Sequence, residues 1–266
     1  MMLSRKNPFS TWQCIGLALL LCLLIFAVGE WLLYHASPTA QHLSESFQTP
    51  NSAAPLGKDQ FGRDMLARLA AALRLSFLLA LLSVFSAAIL GVSAGICAAW
   101  RGGWVDSLLN FIVNTVLALP GLVLVLLFAA IVPGSFAMLY VAISLVLWVE
   151  YFRLVRAVSK TVINGAPVQA SRLFGFGRWY IVKRHIWPAI RANVLSLAAF
   201  GAATSIIMLS SVGFVYVGLK PPTAELGLMI VELFPYYSDA PWLLAQPLIV
   251  LALLVLGFQL LAGSRS

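Results

Sequence analysis

The chain has 266 residues, 61% of them hydrophobic and 10% charged, with a formal net charge of +8. Soluble domains carry about 25% charged residues, which excludes bulk water as the main solvent. The basic excess raises nucleic acid as a partner. Its placement along the chain reports membrane topology instead, and no nucleic acid is expected.

An apolar segment from Trp12 to Leu33 follows Arg5 and Lys6. Its core is longer than the ~7–15 residues of a signal peptide, and no A-x-A site follows it, so it reads as an uncleaved first span. Four further runs, Leu75 to Trp100, Ser107 to Val149, Ala192 to Leu219 and Ala240 to Ser264, contain no Asp, Glu, Lys or Arg. One crossing takes roughly 20 apolar residues. The Ser107 to Val149 run is long enough for two, and Val132-Pro-Gly-Ser135 supplies the turn between them. The expectation is an all-α membrane protein, a single transmembrane domain with six helices at about 12–34, 75–100, 107–131, 136–158, 191–218 and 242–262.

Six crossings place both termini on one side. That side carries twelve basic residues (Arg5, Lys6, Arg101, Arg265 and eight between Arg153 and Arg191), against five on the other (Lys58, Arg63, Arg68, Arg74 and Lys220). The positive-inside rule then predicts cytoplasmic termini. Residues 35–74 and about 220–242 face outward, and the loop 159–190 faces the cytoplasm.

In the first outer segment Pro55 and Gly57 suit a turn. From Gly62 onward Met65, Leu66, Leu69, Leu73 and Phe77 fall on one helical side, with Arg63, Arg68 and Arg74 free to meet water or headgroups. The pattern predicts an amphipathic helix lying on the outer surface. In the second outer segment Pro221, Pro222, Pro235 and Pro241 stop helices, and Tyr236, Tyr237 and Trp242 suit the membrane interface.

The chemistry is sparse. No G-x-x-x-x-G-K-[ST] is present, so ATP is not bound through a P-loop of this chain. The middles of the spans hold no acid or histidine relay, since Glu30 and Glu150 read as lying near span ends. Gly91-Val-Ser-Ala-Gly95 matches a nucleophile pattern, but it sits inside an apolar helix with no histidine in reach. The same residues match G-x-x-x-G, a site of close helix contact, as do Gly201 to Ser205. Cys14, Cys22 and Cys97 fall in spans and match no metal spacing. Ser93, Asn110 and Asn114 either bond within the bundle or line a path. No catalytic residue, metal site or cofactor is expected, and any energy source must lie on another polypeptide.

The stretch from Gln169 to Pro188 carries four basic residues and no acid. Pro167 can open a helix, Val168 to Phe174 make about two turns, and Gly175 and Gly177 end it. A short exposed helix held between two spans is a lever for whatever grips it.

This loop resembles that of ATP-binding-cassette (ABC) importer permeases, E-A-A-x-x-x-G followed ten residues later by His and then apolar-x-Pro. Gln169, Ala170, Ser171 and Gly175 occupy the first block, with Leu173 and Phe174 inside it, and His185, Ile186 and Pro188 follow. Pro55 to Leu69 is similar to the L-G-T-D-x-x-G-R-D-x-x-S-R motif of the dipeptide, oligopeptide and nickel permeases, through Gly57, Asp59, Gly62, Arg63, Asp64 and Arg68. Gly102 to Asp106 also looks like that group. Gly218 to Ile230 resembles its G-L-G-x-x-P-P-T-x-x-W-G-x-M signature, through Gly218, Pro221, Pro222, Thr223 and Gly227.

The resemblance implies the second of two permeases in a bacterial inner-membrane importer. Its partners would be a homologous permease, two ABC ATPases carrying ATP and Mg, an extracytoplasmic solute-binding protein and membrane lipids. The short helix would dock on an ATPase. Four positions depart: Gln169 stands for Glu, Lys58 for Thr, Ala67 for Ser and Leu226 for Trp. Tyr216 occupies the first glycine of the last signature. "ASRL" and "PTAE" lean towards the nickel and metal-chelate branch over peptides. A self-sufficient carrier or channel, or an intramembrane protease, lacks its required residues within the spans.

Overall fold

The computed structural model describes residues 10–263, so Arg5, Lys6 and Arg265 lie outside the described residues. The helices are α1 (Thr11–Leu33), α2 (Met65–Arg101), α3 (Gly103–Leu117), α4 (Gly121–Ile131), α5 (Phe136–Ile163), α6 (Ala166–Leu173), α7 (Arg178–Ile181), α8 (Trp187–Phe214), α9 (Leu226–Leu233) and α10 (Pro241–Ala262). Five are long and apolar enough to cross a membrane: α1, α2, α5, α10 and the continuous Arg178–Phe214 helix. The bent pair α3–α4, taken as one span, makes six.

Local chemistry sets the starts. Ser10 caps α1 in a reciprocal box with Gln13, and Asp64 and Ser135 cap α2 and α5 by accepting from Ala67 and Met138. Each satisfies one of the orphan N–H groups of a first turn. A five-residue π turn, Val182–Ile186, joins α7 to α8.

The expected third span, 107–131, is not one helix. The chain bends by 79° between α3 and α4. Pro120, with no N–H to donate and a ring that disfavours helical backbone at Leu119, accounts for the break. Pro120-Gly121 is the same Pro-Gly signal that separates α4 from α5 at Val132 to Ser135.

The core lies where α2 meets α5, with α8 packed against both. In lipid, close backbone approach rather than water exclusion drives such contacts. A Cβ on Gly95 would stand 3.0 Å from the backbone of Arg156 and Phe152, and one on Gly91 would meet Tyr151 and Trp148. The G-x-x-x-G run is therefore a packing site, as its spacing suggests. A second close crossing joins α1 to α10, where a Cβ on Gly16 would lie 2.7 Å from the Gly257 carbonyl. Only Gly16, Leu20, Ala27 and Glu30 of α1 are buried, so this helix is peripheral.

Candidate functional site

The loop between α5 and α8 is anchored on one side and open on the other. Val168 and Ser171 of α6 are buried. Ser171 Oγ donates to the Pro167 carbonyl at 2.9 Å and lies 2.9 Å from His185 Nε2 in the π turn. The Arg172 guanidinium sits 5.2 Å over the Trp100 ring of α2. Tyr180 stacks on Phe176 at 4.2 Å and meets the His185 ring edge-on. Away from these anchors Leu173 (88% exposed), Phe174 (80%) and Trp179 (77%) project outward. Exposed apolar side chains grouped in this way meet either another protein or the membrane surface.

Gly175 takes φ +78, which terminates α6, and open space surrounds the position of its absent Cβ. A side chain there is penalised by backbone strain alone. Gln169 and Ala170 are exposed, and the Gln169 amide donates to the Asn164 carbonyl at 3.1 Å. A glutamate could not make that bond. Pro188 lies in the first turn of α8, exposed. The structure thus brings Ser171 and His185 together and places Gln169, Ala170, Leu173, Phe174 and Gly175 on one short segment.

At the opposite end the motif residues form a buried cluster. Arg63 and Arg68 are each 1% exposed, contrary to the expectation that they meet water or headgroups. Asp59 Oδ2 accepts from Arg63 Nε at 2.5 Å, and Glu232 Oε2 accepts from Arg63 and Arg68 at 3.0 and 2.6 Å. These two carboxylates are what allow burial, since a lone buried guanidinium is prohibitively costly. The expected surface helix is instead the first turns of α2, which runs unbroken for 37 residues. Met65, Leu69, Leu73 and Phe77 do form its buried face.

Asp64 caps α2 and accepts from the Tyr34 hydroxyl at 2.8 Å. Burial and the Asp64 carboxylate push the Tyr34 phenol up to about 12. Lys58 pairs with Glu45 and holds that carboxyl below its usual range. Gly57 and Gly62 are buried, with φ +79 and +68. Arg74 reaches Glu30 of α1 at 2.7 Å.

The second outer motif leads into α9, a short buried helix that the sequence reading did not resolve from the outer loop. Glu225 caps it by accepting from Gly227 and Leu228 at 2.9 and 2.7 Å. Gly227 lies against Ser210 of α8, and Gly218 accepts from the Gly134 N–H at 3.2 Å. Pro221, Pro222 and Thr223 form an exposed turn. Tyr216, at a signature glycine, has φ +59.

Of the polar span residues, Ser93 bonds to the Ile89 and Leu90 carbonyls of its own helix, and Asn110 to Asp106. Asn114 is exposed. Asp106, which composition alone does not distinguish, holds Arg156 of α5 through two bonds of 2.5 and 2.6 Å.

Residues 87–263 match the family described as binding-protein-dependent transport system inner membrane component. Over 256 residues the chain is 30% identical to a probable D,D-dipeptide transport system permease protein, DdpC, of Escherichia coli (strain K12), covering 96% of this chain and 85% of that relative. It is 29% identical over 257 residues to a dipeptide transport system permease protein, DppC, of Alkalihalophilus pseudofirmus, covering 97% and 84%. It is 29% identical over 245 residues to a glutathione transport system permease protein, GsiD, of Pectobacterium atrosepticum, covering 91% and 81%. The chain belongs to the binding-protein-dependent transport system inner membrane components, as a multi-pass bacterial inner-membrane permease of the dipeptide and oligopeptide group of ABC importers.

Proposed function

We propose that this chain is one half of a heterodimeric import pore and takes up dipeptides or short oligopeptides. A second, homologous permease completes the pore, and an extracytoplasmic solute-binding protein delivers cargo. Two ABC ATPases bind ATP and Mg on the cytoplasmic side, where both termini of this chain also lie. Closure of the ATPases pushes α6, and the Ser171–His185 contact passes that movement into α8. The chain itself does no covalent chemistry.

One observation carries the docking role: Leu173 and Phe174 are bare at the tip of a helix whose other face is anchored. Burying an exposed leucine or phenylalanine contributes about 1.5–3 kcal/mol, enough for two such side chains to grip a groove. The peptide cargo is favoured by similarity to permeases named for dipeptides and glutathione. The nickel and metal-chelate lean of "ASRL" and "PTAE" has no support from those relatives.

The test is uptake into proteoliposomes holding this chain, its second permease, the ATPases and the binding protein. ATP-dependent accumulation of labelled dialanine, not displaced by nickel or a nickel–histidine chelate, is the expected result. Accumulation of nickel with no dialanine uptake contradicts the cargo assignment.

A further inference from the structure

Glu150 does not lie at the end of its helix. It sits in the middle of α5, fourteen residues after Phe136 and thirteen before Ile163. The neighbouring Tyr151 packs at Gly91 of α2. Gly91 is ten residues from Arg101 and seventeen from Arg74, about 15 and 25 Å along the helix at 1.5 Å per residue. Glu150 is therefore deep in the layer that the charge-free part of α2 crosses, and it is exposed.

A carboxylate at that depth is too costly to face lipid, so it faces water or protein. Glu150, Arg153, Ala157 and Lys160 follow one another at helical spacing on one face, and all four are exposed. Among the described residues neither Glu150 nor Arg153 joins an ion pair. The face points away from α2, which covers Tyr151, Phe152 and Val155. One turn beyond Glu150 the stripe closes: Val146 Cγ1 lies 2.9 Å from the Cβ position of Gly121, with Met208 beside it. The charged face thus starts at the loop end of α5 and stops at mid-helix, where Val146, Gly121 of α4 and Met208 of α8 come together. Subunit contacts in lipid favour small residues, and this face carries large charged ones, which speaks for a wet path.

On the importer reading given above, we infer that Glu150 and Arg153 form a cargo contact in this path, specific for zwitterionic solutes. The Glu150 carboxylate receives the cargo ammonium group, and the Arg153 guanidinium its carboxylate. The two side chains leave the helix about 5–6 Å apart, with opposite charges in the order an extended short peptide presents.

Two measurements on the complete reconstituted importer test this. In a chain with Cys14, Cys22 and Cys97 replaced by serine, Glu150→Cys is treated from the ATPase side with a membrane-impermeant cationic methanethiosulfonate. It should react at a rate similar to Ala157→Cys, and dialanine should slow it. Uptake of dialanine by Glu150→Gln should fall about tenfold, the loss of one charge-assisted contact, and Glu150→Asp should restore most of it. A position 150 that the reagent cannot reach, labelling that dialanine does not slow, or uptake unaltered in both Glu150→Gln and Arg153→Gln overturns the inference. Failure of the wild-type complex to move dialanine contradicts the cargo assignment instead, while the labelling rate still decides whether Glu150 is wet.

Discussion

Ser171 Oγ lies 2.9 Å from Nε2 of His185, fourteen residues away across two glycines. It is the polar link between the short loop helix and the π turn that begins the fifth span. A neutral hydrogen bond contributes about 0.5–1.5 kcal/mol, too little to decide folding but enough to decide whether α6 and α8 move together. Ser171→Ala and His185→Ala should therefore insert and fold normally. Each should reduce uptake per ATP hydrolysed, measured as the ratio of dialanine accumulated to phosphate released. An unchanged ratio in both variants removes the link from the coupling path.

The Glu232 carboxylate serves two guanidiniums at once, each 1% exposed. Glu232→Ala leaves that positive charge with Asp59 alone. Breaking a buried pair costs about 3–5 kcal/mol, so the purified variant should show a clearly lowered Tm in detergent, or fail to accumulate. Glu45→Ala breaks the Lys58 pair, whose carboxylate partner is exposed. Fully exposed pairs contribute little, and its Tm should hardly move.

Ser93 and the glycines around it separate packing from chemistry. Ser93→Ala should leave transport and stability unaltered, since the hydroxyl only bonds carbonyls of its own helix. Gly95→Val places a branched side chain where a single Cβ would already lie 3.0 Å from backbone atoms. Overpacking costs about 1–3 kcal/mol, and the Tm should fall accordingly.

Tyr216 holds φ +59 with half its surface exposed. Left-handed backbone costs a non-glycine residue roughly 1–2 kcal/mol, partly offset by the entropy glycine loses on folding. Tyr216→Gly should raise stability slightly, by about 0.5–1 kcal/mol on those figures, read as a higher Tm.

The spans, the loop helix and the packing role of Gly91 and Gly95 are legible in the sequence because each rests on local rules: apolar run length, Pro167 before the helix, glycine spacing. The buried state of Arg63 and Arg68 is not legible, because it depends on Glu232, more than 160 residues away. The helix period alone sends an arginine to water unless a distant carboxylate is known to meet it. Glu150 escaped for a related reason. Its place at a charge-free run's edge suggests a span end, whereas α5 continues as one helix to Ile163 and leaves it at the centre of that helix. The break before Gly121 was within reach, since it uses the Pro-Gly signal already applied at Pro133.

On the function proposed above, the bare tip of α6 is the handle for an ATPase. The most direct measurement is recovery of the ATPase subunits with detergent-solubilised permease carrying Leu173→Asp and Phe174→Asp. Both side chains are more than three-quarters exposed, so little of the fold of this chain rests on them. The double variant should insert, keep its Tm and its partner permease, and lose most of the bound ATPase together with stimulated ATP hydrolysis. Full retention of the ATPases with normal coupled hydrolysis would contradict the assignment.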